Sequence, residues 1–206
     1  MNAPAALLPL RLRQAVRALD DPPTAPGWNH AELSDLLGSA PRRAAAVLVP
    51  IITRSQGLHL LFTQRTEHLT QHAGQISFPG GSVDAGDRDA VAAALRETHE
   101  EVGIDPAQVR PFGYLDCLET VGGFCVTPVV ADVDADYRAT LNPHEVAEVF
   151  EVPLAFFLDP ANLRRRHIDY RGRPRDIFEF PYNGKNIWGA TAAILVSLVR
   201  RMEAVT

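Results

Sequence analysis

Apolar and polar positions change their period along the chain, and each change marks an element. Residues 10–19 carry apolar side chains at helical spacing and predict an amphipathic helix. The run Asp21-Pro22-Pro23-Thr24-Ala25-Pro26-Gly27 ends it, and a second short helix is expected over residues 31–37. From Ala44 the pattern becomes that of strands. Ala46-Val47-Leu48-Val49-Pro50-Ile51-Ile52 and Leu58-His59-Leu60-Leu61-Phe62-Thr63 are short and β-rich, and Ser55-Gln56-Gly57 between them predicts a hairpin. Further strands are expected over 112–118, 124–133, 166–170 and 176–182, the last two joined by Arg171-Gly172-Arg173-Pro174. Helical spacing returns over 89–102, where Val91, Leu95, Thr98 and Val102 form one packing stripe before Gly103. It returns again over 189–201, which closes on basic residues suited to a helix C-terminus, and a helical turn is expected near 153–157. Strands thus fill the middle, with one helix inserted and another at the end. This is an α+β domain over residues 41–206, preceded by a helical appendage and linker over 1–40.

Composition narrows the class. A chain of 206 residues can bury a real core as one domain, and 46% hydrophobic with 22% charged residues reads as folded rather than disordered. No apolar run approaches the ~20 residues of a membrane span, and the N-terminal apolar stretch lacks the basic segment and cleavage site of a signal peptide. A formal net charge of −5 argues against a nucleic-acid partner held by bulk electrostatics. The basic runs Arg164-Arg165-Arg166 and Arg171 to Arg175 read as solvated loops. Cys117 and Cys125 flank Val121-Gly122-Gly123 and read as a reduced pair facing across a hairpin, which suits a cytoplasmic protein.

The chemistry gathers on the 89–102 helix. At about 100° per residue, Glu97, Glu100 and Glu101 span an arc centred almost opposite the packing stripe. Carboxylates so close repel one another, which suits either an open, solvated face or a site where a divalent cation lies between them. The segment before the helix, Phe78-Pro79-Gly80-Gly81-Ser82-Val83-Asp84-Ala85-Gly86-Asp87, is a strand end and a Gly-rich turn that lets backbone approach a ligand. Arg96 lies beside the acidic arc and can hold its carboxylates through charged hydrogen bonds.

Together these residues resemble the Nudix box, Gly-x5-Glu-x7-Arg-Glu-U-x-Glu-Glu-x-Gly-U with U a bulky aliphatic, over Gly81 to Ile104. Asp87 stands where the box has Glu, one additional residue separates it from Arg96, and Thr98 replaces the aliphatic residue; Arg96-Glu97 and Glu100-Glu101 are intact. The resemblance implies a Nudix fold, a mixed β-sheet sandwiched between helices in an α/β/α sandwich. It also implies Glu97, Glu100 and Glu101 as ligands for Mg²⁺ or Mn²⁺, with the Gly81 carbonyl in addition, and oxygen donors do suit those hard cations. Arg96 and Glu97 are catalytic by the same resemblance. Glu145, in Asn142-Pro143-His144-Glu145, is a candidate general base from outside the box, or else a helix-start residue; Glu97 is the rival base.

A second segment, Leu60-Leu61-Phe62-Thr63-Gln64-Arg65 running on to Gly74 and Phe78-Pro79-Gly80-Gly81, is similar to the signature of the coenzyme A pyrophosphatase branch of that family, and the lengthened box with its Asp also fits this branch. The resemblance covers about residues 43–201. It implies hydrolysis of coenzyme A or acyl-CoA to 3′,5′-ADP and (acyl-)4′-phosphopantetheine, with Arg65, His72, Phe78 and Gly80 at the substrate. A guanidinium such as Arg65 suits a phosphate. Thr70 stands where the branch often has a basic residue. Other Nudix substrates such as ADP-ribose, and a non-catalytic nucleotide sensor, are the competing readings. A monomer and a homodimer stay equally open.

Overall fold

A computed structural model describes residues 8–68 and 72–205. The strands are β1 (Arg43–Arg54), β2 (Gly57–Arg65), β3 (Ile76–Ser77), β4 (Gly80–Ser82), β5 (Val109–Tyr114), β6 (Leu118–Glu119), β7 (Phe124–Val133), β8 (Val146–Pro153), β9 (Arg164–Tyr170), β10 (Arg173–Tyr182) and β11 (Lys185–Trp188). The helices are α1 (Leu8–Ala15), α2 (His30–Leu33), α3 (Ala90–Val102), α4 (Leu154–Leu158) and α5 (Gly189–Ala204).

Strand β1 organises the larger, mixed sheet. It runs parallel to β7 from Arg43 opposite Phe124 to Ile52 opposite Val133, and antiparallel to β2 and β4. Strand β8 pairs antiparallel with β2 at the far side, and β5 and β6 pair with β7. Because successive strand residues face opposite sides, β1 feeds two cores. Ala45, Val49 and Ile51 pack with Leu12, Phe62 and Leu195 on the α1, α4 and α5 face, while Ala46, Leu48 and Ile52 pack with Val91, Ala94 and Val102 of α3 on the other. The sheet is therefore sandwiched between helices. Strands β9, β10 and β11 make a separate three-stranded antiparallel sheet on the α5 side.

Several elements differ from the pattern expected of the sequence. Helix α1 ends at Ala15 rather than near residue 19, because Arg17 leaves the helix to exchange backbone hydrogen bonds with Tyr114 at 2.8 and 2.9 Å. Helix α2 spans only His30–Leu33. The expected strand over 112–118 divides into β5 and β6. The basic runs are not loops: they lie in β9, β10 and the turn between them, where Arg166 pairs with Glu179 at 2.8 Å and Arg173 and Arg175 both grip Asp35.

The segment between α1 and β1 is tied down by buried polar contacts. Glu119 is 4% exposed and meets His30 Nδ1 at 2.7 Å, while its backbone N–H donates to Asn29 Oδ1 and its carbonyl accepts from Asn29 Nδ2. Cys117 and Cys125 are free, and the Cys117 thiol donates to the Thr24 carbonyl at 3.2 Å.

Candidate functional site

Helix α3 is bounded as its sequence dictates. The Asp89 side chain accepts from the Ala92 N–H at 2.8 Å, and Gly103 takes the left-handed φ of 71° while its N–H returns to the His99 carbonyl. A side chain at 103 would also collide with Thr140, whose carbonyl lies 2.6 Å from the position of a Cβ. The helix buries Val91, Ala94, Thr98 and Glu101, successive residues three or four apart. Glu101 is thus part of the buried stripe and not opposite it. Leu95, expected in the stripe, is only half-buried.

A carboxylate that is 3% exposed requires compensation. The Gly80 N–H donates to Glu101 Oε2 at 3.1 Å, and Arg65 Nη1 stands 3.8 Å from Oε1. Burial nevertheless dominates and pushes the Glu101 carboxyl up to about 7, with the charges of Glu97 and Glu145 adding to the rise. Glu97 is also raised, first by burial and then by the charges of Glu100 and Glu145, against the pull of Arg96. Its carboxylate presses on Gly81, where a Cβ would lie 2.5 Å from Glu97 Cδ. Only glycine leaves that carboxylate in place.

Arg96 ties the acidic groups together. Its Nε and Nη2 donate to the two oxygens of Asp87 at 3.1 and 2.9 Å, its Nη1 to Glu97 at 2.9 Å and Glu100 at 3.1 Å, and Nη2 also to the Ser82 carbonyl. The Arg96 guanidinium in turn holds the Asp87 carboxyl below its ordinary value. The shorter Asp side chain therefore still reaches Arg96 across the lengthened box.

The structure brings Arg65, Gly80, Gly81, Arg96, Glu97, Glu100 and Glu101 together, and the charge of Glu145 acts on both Glu97 and Glu101. Glu145 does not start a helix. It closes the turn that enters β8, where Thr66 N–H donates to its carbonyl at 3.0 Å. A bulge in β2 between Gln64 and Arg65, opposite β8, re-aims the chain where Arg65 leaves the sheet. One expected substrate contact falls elsewhere. Phe78 is 2% exposed and stacked on Phe62 at 4.8 Å, so it is core and offers no surface to a ligand. His72 is exposed in a turn, bonded to Gln75. Thr70 lies outside the described residues.

Among the described residues, no three His, Cys, Asp or Glu side chains are already arranged as a metal cage. The donor set still fits a hard divalent cation. It is oxygen-only, two of its carboxylates are withdrawn from water and raised in pKa, and Gly81 leaves room for one of them.

This arrangement of sheet, glycine turn and glutamate helix is that of a Nudix protein, and the NUDIX domain profile matches residues 42–171. The chain belongs to the Nudix family. It is 43% identical over 157 residues to the "Uncharacterized Nudix hydrolase NudL" of Enterobacter sp. (strain 638), covering 76% of this chain and 81% of that one. The protein of the same name from Escherichia coli (strain K12) is 44% identical over 156 residues, again covering 76% and 81%. Among solved structures, a MutT/nudix family protein from Enterococcus faecalis shares the fold, with a TM-score of 0.50 at 16% identity over 85% of this chain and 73% of that one. Among the described residues no helix is long and apolar enough to cross a membrane.

Proposed function

We propose that this Nudix hydrolase cleaves the diphosphate of coenzyme A or its thioesters, releasing 3′,5′-ADP and (acyl-)4′-phosphopantetheine in the cytoplasm. The observation that carries the reading is the buried Glu101, held between the Gly80 N–H and Arg65. It links the glutamate helix to the segment that resembles the coenzyme A branch. A fold gives up stability to bury a carboxylate so, and a cation is the natural partner for it.

Glu97, Glu100 and Glu101 would hold Mg²⁺ or Mn²⁺, with the Gly81 carbonyl beside them. When bound, the cation supplies neutralisation of the diphosphate and acidification of the attacking water. The remaining work belongs to side chains. The Arg65 side chain is 27% exposed with Nη1 facing Glu101, so the rest of its guanidinium can donate to a phosphate oxygen. Glu145 takes the proton from the water that attacks phosphorus; Glu97, beside it in charge, is the rival for that role. Arg96, anchored by Asp87, keeps Glu97 and Glu100 from splaying apart.

The test is a panel of coenzyme A, acyl-CoA, ADP-ribose, NADH and diadenosine polyphosphates, each with Mg²⁺ or Mn²⁺. The highest kcat/KM is expected for a compound with a pantetheine arm. A preference for any other member would overturn the substrate assignment and leave the hydrolase reading in place.

A further inference from the structure

The turn that carries Glu145 is fastened to the site by residues that lie outside the box. The Asn142 N–H donates to the Glu101 carbonyl at 2.9 Å, and the Thr140 N–H donates to the Val102 carbonyl at 2.7 Å. These carbonyls belong to the last turn of α3, where no helical N–H remains to satisfy them. The loop is thus the cap of the very turn that holds Glu101. The Asn142 carbonyl then accepts from the N–H groups of Glu145 and Val146 at 3.0 and 2.9 Å.

The Asn142 side chain completes the connection. Its Oδ1 accepts from the His144 N–H at 3.1 Å, which fixes the orientation of the amide and leaves Nδ2 facing Glu145 Oε1 at 3.4 Å. From the other side, Thr66 donates its N–H to the Glu145 carbonyl at 3.0 Å and its hydroxyl to the His144 carbonyl at 3.2 Å. Thr66 is 7% exposed and follows Arg65 directly after the bulge in β2. One short turn is therefore clamped between the end of α3 and the end of β2, with Glu145 closing it.

We propose that Asn142 is a positioning residue, assisted by Thr66, that aims the Glu145 carboxylate at Glu97 and Glu101. The proposal rests on the reading of Glu145 as the base. Asn142 donates to one Glu145 oxygen and leaves the other free to accept a proton from water. Because its backbone contacts do not depend on the side chain, the role of the amide can be isolated by a non-proline substitution.

Asn142→Ser keeps a side-chain oxygen for the His144 N–H, removes the donor to Glu145 and adds no charge. Its kcat, on the member of the diphosphate panel turned over fastest, should fall about tenfold, the loss expected when one hydrogen bond to a charged group is removed. KM and the affinity for Mn²⁺ measured by calorimetric titration should stay within about twofold, by the same reasoning. Thr66→Val, which keeps the shape and removes the hydroxyl, should act in the same direction. The deciding step repeats both substitutions in a Glu145→Gln background. There they should have no further effect on kcat, since the group they aim is gone. Losses that multiply with that of Glu145→Gln, or a normal kcat in Asn142→Ser beside an impaired Glu145→Gln, would overturn the positioning role alone. A normal kcat in Glu145→Gln would overturn the base and the proposal with it.

Discussion

Glu101→Gln is expected to make the metal-free protein more stable while abolishing turnover, and the size of the gain follows from burial. The carboxyl moves from an ordinary 4.5 to about 7 in the folded chain. At about 1.4 kcal/mol per tenfold shift in proton affinity, keeping it charged costs the fold about 3 kcal/mol above pH 7. The sign is fixed by the direction of the shift. The folded carboxyl binds its proton more tightly than the unfolded one, so its favourable contribution is complete below about 4.5 and is lost as pH rises through about 7. Glutamine is neutral at every pH and keeps an oxygen for the Gly80 N–H. For a domain of this size each kcal/mol moves the melting temperature by roughly 2–4 °C. In EDTA at pH 8 the variant should therefore melt roughly 6–12 °C above the parent, and the gap should narrow toward pH 5. Added Mn²⁺ should raise the melting temperature of the parent and leave the variant unmoved. A variant that melts at or below the parent at pH 8, or a gap that does not change with pH, would refute the reasoning.

Three further outcomes follow from particular contacts. Gly81→Ala places a Cβ 2.5 Å from Glu97 Cδ; it should lower Mn²⁺ affinity by about 10–100-fold in a binding titration, with far-UV circular dichroism unchanged. Phe78→Leu should lower stability in urea by about 1–2 kcal/mol and leave KM unaltered, since the ring packs on Phe62 beneath the site; a raised KM would restore it as a substrate contact. Glu119→Ala strips His30 of its buried partner and should cost about 1–3 kcal/mol in urea unfolding, with faster proteolysis of the segment before β1.

The long periodic elements were legible because their residues answer to local rules. Helix α3 runs from a capping Asp89 to Gly103, and β1, β2 and β7 are continuous apolar runs in a sheet covered on both faces. Strand β8 was missed because Val146 to Pro153 mixes Glu with apolar residues and leaves most of them only half-buried or exposed, so no clean alternation marks it. The burial of Glu101 was hidden for a different reason. Its helical phase belongs with Val91, Ala94 and Thr98, yet a carboxylate there is admissible only because the Gly80 N–H, on another element, meets it. Contacts such as Asn142 with Glu101, or Glu119 with Asn29 and His30, join segments far apart in the chain and leave no trace in periodicity. Phe78 shows the reverse error, a residue placed at the substrate by resemblance while its ring completes the core.

The most direct test of diphosphate hydrolysis is product analysis by mass spectrometry of coenzyme A incubated with the protein and Mn²⁺ in ¹⁸O-enriched water. 3′,5′-ADP and 4′-phosphopantetheine should form in equal amounts, with one solvent oxygen on one of the two new phosphate ends. Neither product should form with EDTA or with Glu101→Gln. Coenzyme A recovered intact from the complete reaction, or cleaved anywhere but at the diphosphate, would contradict it.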